Sequence, residues 1–94
     1  MKDILKQKQY IELFEIIASL QDVNEVKNLF RDLCTMSELK AMAERWKVAK
    51  LVNDGVSYRK ISELTGASTA TVTRVAQWLH HGKGGYQLML EKLK

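Results

Sequence analysis

One segment near the C-terminal end carries most of the residues whose types and spacing suit a chemical task. From Gly66 to Gly82 it contains no acidic residue. At about 100° per residue its apolar side chains fall on one helix face, and these are Val72, Val75, Ala76 and Leu79. The opposite face and the helix N-terminus carry Ser68, Thr69, Ala70, Thr71, Thr73, Arg74, Gln77 and His81. The pattern predicts a helix with one buried face and one polar face that bears no negative charge.

These polar residue types match the groups that duplex DNA presents in its major groove. A guanidinium such as that of Arg74 can bond guanine through two hydrogen bonds, and an amide such as that of Gln77 can bond adenine. The methyl groups of Ala and Thr can contact the thymine methyl group. The amides at a helix N-terminus can hold a phosphate. The helix that follows Ser68 is therefore predicted to read double-stranded DNA.

The residues before this helix fit a helix-turn-helix, which needs two short helices that cross over a turn of three or four residues. Ser57 is the predicted N-cap of a first helix that ends near Leu64. The required offsets are occupied by Ile61 and Ser62 in the first helix, by Gly66 and Ala67 at the turn, and by Val72 and Val75 as the apolar clamp. We therefore predict a helix-turn-helix over residues 57–81.

Two basic residues open the first helix of this unit. Arg59 and Lys60 are placed to contact backbone phosphates, and such contacts fix the register of a protein on DNA without reading its sequence. Each side chain could instead be a solvated surface charge without a role in binding. For Lys60, neither the phosphate contact nor the surface charge is favoured. Arg59 is the predicted phosphate contact.

The remaining chain predicts three helices before this unit and a short closing helix after it. They extend over about 3–20, 22–34, 35–53 and the segment after Gly84, with Asp22 as an N-cap. The third helix has an apolar stripe of Leu39, Met42, Ala43, Trp46 and Ala49. The first helix has a face of Tyr10, Leu13, Phe14, Ile17 and Leu20, and Ile11 and Ile16 lie off that face. So wide an apolar surface on a short chain predicts cover from a second subunit.

Length and charge agree with a small scaffold that carries a polyanion-binding part. The chain has 94 residues, enough for one domain over 1–94. Residues 1–47 hold eight basic and eight acidic residues, whereas residues 48–94 hold seven basic and three acidic ones, so the net charge of +4 comes from the second half. Cys34 is the only cysteine, and no signal peptide or membrane span is recognisable. We expect a cytoplasmic protein.

An enzyme is not expected. The two histidines, His80 and His81, are neighbours and point about 100° apart on a helix, which makes a poor metal pair. No phosphate-binding glycine loop or nucleophile motif occurs. We therefore predict no catalytic residue, no metal and no cofactor.

The segment SYRKISELTGASTATVTRV resembles the Trp-repressor family, and the helix order before it extends the likeness over most of the chain. More narrowly, the chain is similar to the small Trp-repressor-like YerC group. The resemblance implies an all-α fold, an intertwined homodimer and a DNA-binding helix-turn-helix. By position it implies operator contacts from Thr69, Ala70, Thr71, Thr73 and Arg74. Ser62 stands where the family has a lysine that reaches DNA, so that interaction is expected to be absent or weaker.

The resemblance also bears on a small-molecule site. The family's repressor holds free tryptophan between two arginines, which match Arg45 and Arg74 here. Val75 stands where the family has a glycine that leaves room for the indole, and Trp78 replaces a serine that helps to hold the ligand. We therefore expect a pocket closed to tryptophan and an unknown effector. A further hypothesis is that the Trp78 indole stacks on the Arg74 guanidinium in place of a ligand.

Two other functions remain open alongside a transcriptional regulator, for which repression is the default. The chain could be a protein-interaction module that kept the fold without specific DNA binding, since few basic residues lie near the predicted reading helix. It could also be a replication-linked DNA-binding factor, because the same motif occurs in initiator proteins. The sequence does not separate these alternatives.

Overall fold

Every regular element in residues 3–93, the part of the chain that the structure describes, is a helix. The structure is a computed structural model. After a short 3-10 helix at Ile4–Lys6, the α-helices are α1 (Lys8–Ala18), α2 (Val23–Leu33), α3 (Met36–Asn53), α4 (Tyr58–Thr65), α5 (Thr69–His81) and α6 (Gly85–Lys92). The all-α prediction is confirmed. No helix among these residues has the length and apolar character needed to span a membrane.

The chain divides into two compact units, with the boundary between Met36 and Ser37, and we describe each by itself. The first unit holds the 3-10 helix, α1 and α2. The helix predicted over 3–20 is interrupted, because Gln7 adopts an extended backbone conformation (φ −65°, ψ 146°) and separates the 3-10 turn from α1. The predicted cap of α2 is present, since the Asp22 carboxylate accepts a hydrogen bond of 2.8 Å from the Glu25 amide.

Apolar side chains of the first unit lie largely open to solvent. No residue of α1 or α2 is buried. The exposed large apolar side chains of these two helices are Ile11, Phe14, Ile16, Val23, Val26 and Leu33. The wide apolar surface expected for the first helix is therefore present, and this unit by itself does not cover it.

The second unit contains the hydrophobic core. The core is formed by Val48, Ala49, Val52, Ile61, Ala67, Val72, Val75, Ala76 and Leu79. The predicted inward stripe of α3 is wrong in part, because the buried residues of α3 are Val48, Ala49 and Val52, whereas Ala43 is exposed. The reason is that all three buried residues lie in the last six positions of α3, in one cluster with residues of α4 and α5.

The closing helix α6 completes the second unit. The Gln87 side-chain amide donates a hydrogen bond of 2.8 Å to the Leu79 carbonyl near the end of α5. The rings of Trp46 on α3 and Tyr86 on α6 stack with their centroids 6.3 Å apart. These contacts hold α6 against α3 and α5.

Candidate nucleic-acid interface

The turn between α4 and α5 has the geometry of a helix-turn-helix. Helix α4 ends at Thr65 and is capped by Gly66, whose φ of +79° lies in the left-handed region and whose amide donates to the Ser62 carbonyl. A Cβ atom at this glycine would meet nothing within 4 Å. Glycine is therefore favoured here by backbone conformation and not by lack of space. Ala67 and Ser68 follow, and α5 begins at Thr69, in agreement with the sequence prediction.

Two hydroxyl groups of α4 hold the peptide groups of Ala67. The Thr65 hydroxyl accepts a hydrogen bond of 3.1 Å from the Ala67 amide and donates one of 2.8 Å to the Ile61 carbonyl. The Ser62 hydroxyl donates to the Ala67 carbonyl. Ser62 thus has a partner within the protein at the position where a DNA-contacting lysine is expected in the family. The Ala67 side chain is also buried, so both the side chain and the peptide groups of Ala67 are held by the protein.

The inner face of α5 is buried as predicted. Val72, Val75, Ala76 and Leu79 each have a relative exposure of 3% or less. They pack with Ile61 of α4 in one cluster. This packing leaves a single outward face on α5, which fixes the side of the helix that a ligand can reach.

The outward face presents most of the predicted DNA-contacting set to solvent. Exposed members are Ser68, Thr69, Ala70, Thr73, Arg74 and Gln77, and Thr71 is half-buried. Arg74 has no ion pair within the described residues. Acidic residues are absent from the chain between Glu63 and Glu91, so no carboxylate from this stretch opposes an approaching phosphate.

Two hydroxyls at the start of α5 serve the helix itself. The Ser68 hydroxyl accepts a hydrogen bond of 3.1 Å from the Thr71 amide, which is the usual N-cap arrangement. It also donates to the Thr71 hydroxyl at 3.1 Å. Because that bond uses the Ser68 proton and a lone pair of Thr71, the proton of Thr71 is left to donate to another acceptor. DNA contacts from either residue stay a prediction.

Arg59 lies on the exposed side of α4 and has an acidic neighbour. Its Nε atom is 3.7 Å from Oε1 of Glu63, and the Arg59 side chain is 92% exposed. A surface pair of this kind is weak and is screened by salt. Arg59 therefore remains available to a phosphate, at the modest cost of its pairing with Glu63.

A small cavity lies between α3 and α5 and brings together the two arginines matched to the family's ligand site. It measures about 140 Å³ and is lined by Ala41, Glu44, Arg45, Thr71, Arg74, Val75 and Trp78. Pockets for small-molecule ligands measure about 300–1,000 Å³, so this cavity is small for a ligand. Trp78 and Arg74 both line it, but no ring contact joins them among the described residues, and the stacking hypothesis is not supported.

A larger groove was not predicted from the sequence. It measures about 800 Å³ and is lined by Trp46, Trp78, His81, Gly82, Lys83, Gly85, Tyr86 and Met89. The only sequence signal for it is the aromatic content of α3, α5 and α6, which is equally typical of core packing. Within residues 3–93, no group of three or more histidine, cysteine or acidic residues is arranged to hold a metal ion.

Known proteins resemble this chain in sequence and in structure. The sequence profile of the Trp repressor protein family matches residues 8–94. The uncharacterized protein YerC of Bacillus subtilis (strain 168) is 41% identical over 92 residues, which cover 98% of this chain and 88% of YerC.

Two solved structures share the fold. A TrpR-like protein from Eubacterium eligens ATCC 27750 superposes with a TM-score of 0.89 at 40% identity, over 95% of this chain and 92% of that one. A candidate Trp repressor from Staphylococcus aureus superposes with a TM-score of 0.88 at 36% identity, over 95% of this chain and 89% of that one. The chain therefore belongs to the Trp repressor family, a family of DNA-binding regulators with a helix-turn-helix.

Proposed function

We propose that the protein is a sequence-specific regulator of transcription that binds double-stranded DNA as a homodimer. Each subunit places α5 in a major groove, and the two α5 helices enter successive grooves about 34–36 Å apart on a site with two-fold symmetry. Binding next to a promoter represses it by excluding polymerase. The proposal places the protein in the cytoplasm, and duplex DNA is its partner.

The outward face of α5 is the single observation that carries this proposal. Its inner face is buried against α4, its outer face is exposed, and no acidic residue occurs between Glu63 and Glu91. Arg74 is the residue on this face best suited to guanine, and Gln77 lies one turn away with an amide suited to adenine. Thr69, Ala70 and Thr73 add hydroxyl and methyl groups that suit thymine and the backbone.

Backbone contacts come from the first turn of α4 and from the N-terminal end of α5. Arg59 on α4 is exposed and forms a surface ion pair with Glu63. The first amides of α5 and the proton of the Thr71 hydroxyl lie at the same N-terminal end of the helix. These groups fix the register of the protein on DNA, and Arg74 and Gln77 then distinguish bases.

The homodimer is supported by apolar surface that the single chain leaves open. In the first unit, Phe14 and Ile16 on α1 and Val23 on α2 are exposed. In the second unit, Leu88 and Met89 on α6 are exposed as well, and Met89 lines the 800 Å³ groove. Apolar surfaces of this kind mark protein–protein interfaces. A second copy of this chain is the occupant that the proposal assigns to them.

DNA binding by this protein does not require free tryptophan. The cavity that holds Arg45 and Arg74 measures about 140 Å³. Val75, which is 1% exposed, and Trp78, one turn further along α5, both line it. This volume is below that of pockets for small-molecule ligands, which supports a site closed to an indole ring. An effector of another chemical class is not identified.

Selection from a randomised duplex library tests the proposed function. The purified protein is incubated with the library at near-physiological salt, and the bound pool is sequenced. The proposal predicts an enriched motif with two-fold symmetry. A pool without enrichment would refute sequence-specific reading, and the fold would then serve nonspecific DNA binding or protein interaction.

A further inference from the structure

We infer that Ser62 and Thr65 are positioning residues that aim the reading helix α5 through the peptide groups of Ala67. This inference rests on the proposed function and adds to it a determinant of specificity that does not touch DNA. We call the three residues together the turn clasp. The sequence pattern indicates this role for neither hydroxyl, since it marks Ser62 only as an occupant of a helix-turn-helix offset and as the position of a lysine in the family.

The turn clasp acts at the turn from which α5 leaves α4. Three residues, Gly66, Ala67 and Ser68, separate the two helices. Ala67 is the central one, and its carbonyl group belongs to the peptide that leads directly into the N-cap Ser68. A rotation of that peptide would change the angle at which α5 leaves the turn. Apolar packing alone resists such a rotation weakly, because hydrophobic contact is not directional.

The hydrogen bonds of the clasp are directional and come from both sides of Ala67. The Thr65 hydroxyl accepts from the Ala67 amide at 3.1 Å, and it is itself oriented by donating to the Ile61 carbonyl at 2.8 Å. The Ser62 hydroxyl donates to the Ala67 carbonyl. All three bonds are partly buried, where they are less exposed to competition from water. Both polar groups of Ala67 are therefore tied to α4.

The clasp has a consequence for specificity that differs from its consequence for stability. Base contacts from Arg74 and Gln77 require α5 at a defined angle and depth, whereas phosphate contacts from flexible basic side chains tolerate small rotations. Loss of a clasp hydroxyl should therefore lower affinity for a selected duplex and leave affinity for a scrambled duplex nearly unchanged. A hydroxyl with a merely structural role would lower the melting temperature without changing this ratio.

The test compares paired variants. Ser62→Ala and Thr65→Val remove one hydroxyl each, and Ser62→Thr and Thr65→Ser retain it. Ser57→Ala is the control for stability, because the Ser57 hydroxyl accepts a bond of 3.2 Å from the Lys60 amide at the start of α4, and Ala67 follows the other end of that helix. The readouts are the affinities for a selected and a scrambled duplex, the melting temperature, and the hydrogen-exchange rate of the Ala67 amide in the free protein.

We expect Ser62→Ala and Thr65→Val to reduce the ratio of selected to scrambled affinity by about 3- to 10-fold each for one half-site, the effect of one neutral hydrogen bond in each subunit. Ser62→Thr and Thr65→Ser should retain the ratio, and Ser57→Ala should lower the melting temperature alone. An unchanged ratio in both hydroxyl-deleted variants would overturn the positioning role. If Ser62→Ala does not fold, the affinity ratio of the isosteric variant Thr65→Val tests the positioning role by itself.

Failure of the proposed function gives a different result. A wild-type protein that binds selected and scrambled duplexes equally would refute sequence-specific reading. The exchange rate of the Ala67 amide would then still test the clasp, since Thr65→Val should raise it and Thr65→Ser should not. An exchange rate that is the same in both variants would overturn the clasp even in a protein that reads DNA.

Discussion

Replacement of Arg74 by alanine is the perturbation that separates base reading from general attraction to DNA. The Arg74 side chain is exposed and makes no ion pair among the described residues. Its loss should therefore change folding little, and the measured effect should come from the complex. A bidentate contact to a base is worth about 1–3 kcal/mol. At about 1.4 kcal/mol for each tenfold change, this corresponds to roughly a 5- to 150-fold loss for one half-site.

A homodimer carries two copies of Arg74, which doubles the expected free energy if the two half-sites act independently. The loss on a two-fold symmetric duplex should then be about 2–6 kcal/mol, or roughly 30-fold to 20,000-fold. Fluorescence anisotropy at one fixed salt concentration measures it, with the selected duplex and with duplexes changed at one symmetric base position. At one base position per half-site, the base change should lower the affinity of the wild type. The same change should leave the affinity of Arg74→Ala nearly unaltered.

The result that would refute this reasoning is a loss that does not depend on sequence. If Arg74→Ala bound selected and scrambled duplexes with affinities unchanged from wild type, or weaker by one common factor, Arg74 would not read a base. Thermal unfolding of the variant provides the control. Arg74 lines the small cavity together with Val75 and Trp78. An unchanged melting temperature would show that the packing around this cavity is intact in the variant.

Three further predictions concern the backbone contact, the dimer and the ligand. Arg59→Ala should weaken binding to all duplexes about equally and reduce the slope of log K against log salt by about 1 for each phosphate that the side chain neutralises, measured by anisotropy across salt concentrations; a loss at one base position alone would contradict this. Phe14→Asp should shift sedimentation at micromolar concentration toward the monomer, because it places a charge on an apolar face, whereas Gln9→Asp on the same helix should not; dimers of equal stability in both variants would exclude that face from the interface. Calorimetry should detect no micromolar binding of free tryptophan to the wild-type protein, and a micromolar dissociation constant would show that the Val75 side of the cavity opens.

The sequence predicted the helix-turn-helix well because its determinants are local. Ser57 and Ser68 are caps whose bonds reach only three residues along the chain, and Gly66 is a helix end that depends on its own φ. The buried face of α5 follows from helical periodicity once the helix bounds are known. These features need no information on distant parts of the chain.

Other features could not be predicted because they depend on tertiary contacts. Which residues of α3 are buried depends on where α4 and α5 pack against that helix. Periodicity alone therefore predicts burial of Ala43, which is exposed, and does not predict burial of Val48 and Val52. The interruption at Gln7 leaves no strong signal, because no proline or glycine marks it. The hydroxyls of Ser62 and Thr65 resemble ordinary polar positions until the turn brings Ala67 beside them.

The most direct test of two reading helices in successive major grooves is the dependence of affinity on the spacing of the half-sites. Binding is measured on the selected duplex and on duplexes with about 5 or about 10 base pairs inserted between the half-sites, roughly half a turn and one turn of DNA. The account predicts that the half-turn insertion places the half-sites on opposite faces and lowers affinity to that of a single half-site. Equal affinity for the original and the half-turn duplex would contradict a dimer that reads both half-sites together.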